Sequence, residues 1–143
     1  MKLTIYNSET DILNDELLIK IIDLRNKCPG LLKKFAFYKN EILFLYFKKG
    51  NLLAMQKARL YKKHIMFTDQ CLHPDLRGKG IGGRIWKYVM KYMKINYPYC
   101  LYFKLYLYKS NPNFNFLKAW HIRSGFYVEK INKKFISMIK MLH

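Results

Sequence analysis

A glycine-rich run between residues 72 and 83 is the part of the sequence best suited to chemistry. It reads Leu-His-Pro-Asp-Leu-Arg-Gly-Lys-Gly-Ile-Gly-Gly. Glycines let successive backbone N–H groups curl around an anion, and a helix that starts directly afterwards adds unpaired N–H donors and a partial positive charge. The run therefore predicts a diphosphate-binding turn between a strand and a helix.

Two familiar phosphate-binding motifs do not explain this run. The spacing of Gly78, Gly80 and Gly83 matches a dinucleotide-binding fingerprint, but that motif needs an acidic residue about 20 positions later to hold the ribose. The sequence has no acidic residue between Asp75 and Glu129. A P-loop is also excluded, because no Gly-Lys-Ser/Thr sequence is present.

Apolar periodicity and turn residues predict the elements that position the run. A capping pattern at Ser8-x-x-Asp11 indicates the start of the first helix, and Cys28-Pro29-Gly30 its end. Strict alternation over residues 99–108 predicts a strand with one apolar face. The other predicted elements are strands at 3–6, 42–47, 52–60, 65–72, 126–129 and 135–142, and helices at 31–38, 81–95 and 116–124.

The segment Arg77 to Gly82 resembles the pyrophosphate-binding signature of the GCN5-related N-acetyltransferase (GNAT) superfamily, Arg/Gln-x-x-Gly-x-Gly/Ala. Leu72-x-Pro74, Lys109-Ser110-Asn111 and Gly125-Phe126 are similar to other family positions, and the element order agrees over nearly the whole chain. The resemblance implies a single α/β (α+β) domain over residues 1–143. It implies a mixed, mostly antiparallel, twisted sheet of about seven strands flanked by about four helices.

The same resemblance implies an acetyl-CoA-dependent N-acetyltransferase, in which an amine attacks the thioester directly. Acetyl-CoA would lie between the fourth and fifth strands, and a backbone N–H near Cys71 or Leu72 would stabilise the carbonyl oxygen. The residues predicted to bind acetyl-CoA are Cys71, Leu72, Arg77, Gly78, Lys79, Gly80, Ile81, Gly82, Asn111 and Asn115. Asn113 is an alternative to these two asparagines.

Two side chains are predicted to be catalytic. Family members often carry a Glu where this chain has Thr68, so the neighbouring Asp69 becomes the expected general base, provided that a bulge turns it inward. His121 occupies the position of the family's Tyr general acid, and an imidazole suits that task. His64 and His73 are weaker base candidates, Cys71 is more simply a buried cysteine, and three tyrosines of the fifth strand either line the acceptor site or cover the sheet: Tyr102, Tyr106 and Tyr108.

The charge balance points to anionic partners. The chain has 143 residues, with 27 Lys and Arg against 9 Asp and Glu, and five of the acids lie within the first 23 residues. A field of this sign attracts polyanions. Alternative functions are therefore acetylation of an amine carried by tRNA or another nucleic acid, and a non-catalytic module that binds polyanions.

The remaining expectations concern compartment and assembly. The longest stretch without Lys, Arg, Asp or Glu is nine residues, and no signal peptide is evident, so we expect no membrane partner and a cytoplasmic protein. Three cysteines without a Cys-x-x-Cys pair argue against a disulfide framework and a metal site, which favours a reducing compartment. The last strand, 135–142, offers an edge for a homodimer.

Overall fold

The computed structural model describes residues 2–31 and 34–143, and its strands form one seven-stranded sheet in the order β1-β2-β3-β4-β5-β7-β6. A 3-10 turn, Pro74–Leu76, separates β4 from α2. The elements are β1 Thr4–Asn7, α1 Asp15–Arg25, β2 Glu41–Lys48, β3 Asn51–Leu60, β4 His64–Leu72, α2 Ile81–Asn96, β5 Tyr102–Tyr108, α3 Phe114–Arg123, β6 Tyr127–Ile131 and β7 Phe135–Met141.

One strand pair is parallel, and it shapes the centre of the sheet. Strand β4 pairs with β5 from His64↔Tyr102 to Phe67↔Leu105, whereas the other neighbouring strands are antiparallel. Beyond Phe67 and Leu105 the two strands have no further register partners in each other. A gap therefore separates residues 68–72 of β4 from residues 106–108 of β5, and we call it the β4–β5 opening.

Apolar residues bury both faces of the sheet. Helices α2 and α3 cover one face, where Trp86, Val89 and Phe103 belong to the larger core. Helix α1 covers the other face over β2, β3 and β4 through Leu17, Ile21 and Leu24. The alternation predicted for β5 is confirmed, because Phe103, Leu105 and Leu107 are buried while Tyr106 is exposed.

The predicted helix over residues 31–38 is wrong. Residues 31 and 34–38 are not helical, and Leu32 and Lys33 lie outside the described residues. Contacts with β2 and β3 hold this segment in an irregular path: Lys57 Nζ donates to the Ala36 carbonyl at 2.7 Å, and the Tyr38 N–H donates to Glu41 Oε1 at 2.5 Å. The described residues thus contain three α-helices instead of about four.

The start of α1 is also different from the prediction. Asn14 caps the helix by accepting a hydrogen bond from the Leu17 N–H at 2.8 Å. Ser8 Oγ instead accepts from the Glu41 N–H, and Asp11 Oδ2 accepts from the Asn7 N–H. Both side chains therefore stabilise the turn after β1, and the helix begins at Asp15.

Two further expectations are corrected. The last strand is not an edge, because β7 lies between β5 and β6, and the edge strands are β1 and β6. Cys28 and Cys71 form a disulfide, which leaves Cys100 as the free, buried cysteine. The inference from unpaired cysteines to a reducing compartment therefore loses its premise.

Membrane-spanning helices and metal-binding clusters are both absent from the described residues. None of their helices has the length and apolar composition needed to span a lipid bilayer. Residues 2–31 and 34–143 also contain no group of three or more His, Cys, Asp or Glu side chains placed to hold a metal ion.

Candidate active site

The glycine-rich run forms a turn with exposed backbone at the start of α2. Gly78 and Gly80 adopt φ values of +77° and +75°, which residues with a side chain rarely take. A Cβ added to either glycine would meet no atom within 4 Å. The first helical hydrogen bond runs from the Arg84 N–H to the Gly80 carbonyl at 3.3 Å, so the preceding N–H groups belong to the unpaired first turn. The turn therefore provides an open, donor-rich surface that fits a diphosphate.

Basic side chains surround this turn, and Arg77 has a distinct orientation. Lys79 is exposed, and the first turn of α2 contains no acidic residue. Arg77 Nε donates to the Leu72 carbonyl at 3.3 Å, and its Nη2 donates to the Lys27 carbonyl at 3.2 Å. Arg77 thus connects the end of β4 to the loop after α1, while Lys79 remains available to an anion.

The end of β4 directs one backbone N–H toward the opening. The His73 N–H donates to the Leu53 carbonyl of β3 at 2.8 Å. Because backbone groups alternate along a strand, the Leu72 N–H points to the opposite side, toward β5. A Cβ on Gly82 would lie 3.3 Å from Leu72 Cδ2, so α2 starts close against this strand end. Ile81, the first residue of α2, packs against the larger core.

Cys71 lies on the face of β4 that α1 covers. It is 3% exposed and its sulfur is bonded to Cys28 in the loop after α1. A disulfide sulfur is not a thiolate nucleophile. The bond fixes the position of β4 relative to that loop.

The predicted asparagines occupy different surroundings. Asn111 Oδ1 accepts a hydrogen bond from the Asn113 N–H at 2.8 Å, which closes a local turn. The Asn111 side chain also lies against Gly30, where an added Cβ would come within 2.7 Å of Asn111 Cγ. Asn115 lies on the first turn of α3 and is exposed. Asn111 is therefore engaged by the protein itself, whereas Asn115 is accessible.

Asp69 lies in a bulge of β4, as its predicted role required. It has φ +54°, and the register with β3 shifts between Met55↔Cys71 and Lys57↔Thr68. Its carboxylate pairs with Arg25 Nη2 at 2.8 Å and with Lys57 Nζ at 3.2 Å.

Lys57 Nζ also lies 3.4 Å from Glu41 Oε2, which completes a buried ion network of Arg25, Glu41, Lys57 and Asp69. These charges bridge α1, β2, β3 and β4. Both Asp69 oxygens are engaged in this network. The contacts favour a structural role for Asp69, and its action as a base stays a prediction.

His121 is buried among aromatic rings of α2, α3 and the turn before β6. Its ring contacts those of Trp86, Trp120 and Phe126 at centroid distances of 5.0–5.6 Å. Its Nδ1 has no hydrogen-bond partner within the described residues. Burial lowers the pKa of His121 to about 4. The ring is therefore neutral near pH 7 and cannot supply a proton as an imidazolium there, so its catalytic role also stays a prediction.

The two weaker base candidates, His64 and His73, have defined structural contacts. His64 stacks between Tyr61 and Tyr102 with centroid distances of 4.6 and 4.9 Å. Burial and the nearby Lys104 ammonium lower the pKa of His64. His73 Nδ1 accepts from the Asp75 N–H at 3.1 Å and caps the 3-10 turn. Both rings therefore stabilise local structure around β4.

A cavity of about 410 Å³ lies on the sheet face opposite α2 and α3. Strand β5 contributes Lys104 and Tyr106, and β7 contributes Phe135 and Ser137. Tyr106 directly follows Leu105, the last residue of β5 that pairs with β4. The cavity thus begins beside the β4–β5 opening, and we call it the β5–β7 cavity.

Comparisons with known proteins were made by sequence and by structure. No protein-family profile matches the chain, and no curated protein sequence matches it either. Solved structures do match over almost the whole chain. The E. coli ribosomal-protein-S18-alanine N-acetyltransferase gives a TM-score of 0.76 at 13% identity, covering 99% of this chain and 94% of that one.

Two other solved structures are similar to the same extent. The PaiA N-acetyltransferase from Thermoplasma acidophilum, solved in complex with coenzyme A, gives a TM-score of 0.73 at 16% identity and covers 99% of both chains. E. coli ElaA gives 0.72 at 14% identity, covering 97% of this chain and 98% of that one. The protein therefore has the GNAT fold, and the predicted fold class is confirmed.

Several residues around the site were not predicted from the sequence. The ion-network partners Arg25, Glu41 and Lys57 lie 12 to 44 positions from Asp69, and no local pattern connects them. Gly30 was interpreted only as a helix terminator. The alternation of β5 did place Lys104 with Tyr106 on one face, which was the available signal for the β5–β7 cavity.

Proposed function

We propose that this protein is an N-acyltransferase that moves an acetyl group from acetyl-CoA to an amine. One observation carries the proposal: the open, amide-lined turn of Gly78 and Gly80 follows β4 after a single 3-10 turn, and β4 borders the β4–β5 opening. A diphosphate on this turn would place the attached pantetheine arm beside the opening. The similarity to solved N-acetyltransferases supports the proposal at the level of the fold.

The residues divide the work of the proposed reaction. The N–H groups of the turn bind the donor diphosphate, with the Lys79 ammonium beside them. The Leu72 N–H donates to the thioester oxygen, on which negative charge develops during attack. The amine attacks directly, because Cys71 is held in a disulfide and offers no thiolate for an acyl-enzyme. In this scheme the catalytic contribution is mainly orientation and electrostatic stabilisation.

The test uses two glycines with the same backbone conformation. Gly80 in the turn and Gly50 in the β2–β3 hairpin have φ values of +75° and +78°, and an added Cβ meets nothing within 4 Å at either. We expect Gly80→Asp to weaken acetyl-CoA binding about 100-fold through repulsion of the diphosphate, and Gly50→Asp to leave it unchanged. Calorimetry measures both. Absence of acetyl-CoA binding by the unaltered protein would refute the proposal.

A second candidate function is acyl-CoA or polyanion binding without turnover. It is favoured by the surroundings of the two predicted catalytic side chains, since Asp69 is fully ion-paired and His121 is buried and neutral. Acetylation of any amine at a rate above the uncatalysed reaction excludes it. RNA binding that weakens steeply with salt, together with no turnover, would favour it over the enzyme.

A further inference from the structure

The β5–β7 cavity has an uncovered position beside the proposed reaction centre. Helix α1 packs over β3 and β4 on this face, and no helix of the described residues packs over β5, β7 and β6 on it. The rings of Tyr106 and Phe135 form an edge-to-face pair with centroids 5.2 Å apart at the cavity floor. A molecule in this cavity would lie on the side of the opening that α2 and the glycine-rich turn do not occupy.

The carboxylate of Glu129, the single acidic residue of 76–143, is already engaged beside the cavity. Glu129 Oε1 lies 3.2 Å from Lys104 Nζ and accepts a hydrogen bond from Ser137 Oγ at 3.0 Å. Although burial acts in the opposite direction, Lys104 and Ser137 lower the pKa of Glu129, so it remains an anion bound to its own partners. It is therefore poorly placed to pair with the ammonium group of a cationic substrate.

Positive charge dominates the rest of the cavity. Lys130 lines it, and Lys133 and Lys134 lie outside the lining in the exposed turn between Asn132 and Phe135, which do line it. None of these three ammonium groups has a carboxylate within 4.0 Å among residues 2–31 and 34–143. Residues 76–143 contain 14 lysines and arginines and Glu129 as their single acid. The local field therefore favours an anionic group and opposes a polycation.

We propose that the β5–β7 cavity binds an amine acceptor through a carboxylate or phosphate that the acceptor carries, with Lys130 as the principal contact. This inference rests on the proposed function. The anionic group anchors the acceptor over the β5 and β7 face, and the amine extends to the β4–β5 opening. There the amine nitrogen bonds to the acyl carbon and the carbon–sulfur bond breaks. The nitrogen gives up one proton to solvent, and coenzyme A leaves as a thiolate that takes up one proton.

The first experiment compares amine acceptors with and without an anionic group. O-phosphoethanolamine is paired with ethanolamine, and β-alanine with β-alaninamide, while spermidine represents polycations. Acetylated products are separated by chromatography. We expect kcat/KM to be at least about tenfold higher for the anionic member of each pair, as expected for a charge-assisted contact. The two pairs distinguish phosphate from carboxylate. Equal rates, or preference for spermidine, would overturn the inference.

Three single variants locate the contact. Lys130→Gln should raise the KM for the anionic acceptor about tenfold and leave the KM for acetyl-CoA unchanged. Lys94→Gln, which removes an exposed ammonium from α2, is the matched control and should change neither. Glu129→Gln should act in the opposite direction and lower the acceptor KM, because it releases Lys104. No change in Lys130→Gln, or equal changes in both lysine variants, would contradict the assignment.

Binding measurements separate this inference from the proposed function. Acetyl-CoA binding by calorimetry tests the donor site alone. O-phosphoethanolamine is then titrated into the protein with coenzyme A present, so that the acceptor site is measured without turnover. Donor binding combined with no binding of the anionic amine overturns the inference and leaves the proposed function intact. Absence of donor binding refutes the proposed function itself, and the anionic-amine titration still tests the cavity.

Discussion

Reduction of the Cys28–Cys71 disulfide should lower the stability of the fold strongly. The bond closes a loop with a sequence separation of 43 residues, which contains β2, β3 and most of β4. The chain-entropy relation gives about 4 kcal/mol for a loop of this length at 25 °C. Since domains of this kind are stable by only about 5–15 kcal/mol, the disulfide contributes a large fraction of the total.

Urea denaturation with and without a reductant measures this contribution. With a slope of about 2 kcal/mol per molar urea, a loss of 4 kcal/mol moves the unfolding midpoint by about 2 M. Thiol titration in denaturant should give one reactive group before reduction, Cys100, and three after it. A Cys28→Ala, Cys71→Ala double variant is the control, because its midpoint should not respond to the reductant.

Two results would refute this reasoning. Three titratable thiols in the protein purified without reductant would show that the disulfide does not form. A midpoint that stays within about 0.3 M after complete reduction would show that the loop is constrained by other contacts, such as the buried ion network. The second result would mean that the noncovalent contacts of this region, apolar packing and the ion network together, hold the fold without the covalent bond.

Three other predictions concern single residues. The His121 ring takes up a proton below about pH 6.5 when the chain is unfolded, but only near pH 4 when it is buried in the fold. The stability of the wild type should therefore fall relative to His121→Gln by about 3 kcal/mol as the pH drops from about 6.5 to about 4, and the difference should then level off. Parallel pH profiles of the two proteins in urea titrations would contradict this. Asp69→Ala should cost about 3 kcal/mol because it removes the carboxylate shared by the buried Arg25 and Lys57, and a loss of kcat with unchanged unfolding would instead identify a base. Gly30→Ala should destabilise by roughly 1–3 kcal/mol, because the added Cβ would overlap the Asn111 side chain, which its hydrogen bond with the Asn113 N–H holds in place; Gly83→Ala, which has open space inside α2, should stabilise slightly, and urea titrations measure both.

The sequence was most informative where a local pattern determines structure. The alternation of β5, the apolar periodicity of α2 and the glycine-rich turn each depend on residues close together in the sequence. These features were predicted correctly in type and position, and they were enough to indicate the fold. The expectation that the cofactor lies between the fourth and fifth strands came from the GNAT resemblance, and the opening itself is visible only in the strand register.

The failures involve contacts between distant residues. The segment before β2 is irregular because Lys57 and Glu41 bind its backbone. Neither residue lies within 31–38, the range whose apolar periodicity predicted a helix. The pairing of Cys28 with Cys71 spans 43 positions and has no local signature. The position of β7 inside the sheet is a matter of strand order, which a strand pattern alone does not determine.

The short parallel contact between β4 and β5 divides the sheet into two antiparallel sections, β1 to β4 and β5 with β7 and β6. Apolar packing beneath α2 joins these sections, and such packing is non-directional. A small rotation about the contact would therefore change the width of the opening without breaking a hydrogen bond inside either section. Gly30, in the loop that the disulfide ties to β4, lies against the side chain of Asn111, which follows β5, so this contact joins the two sections at a second place.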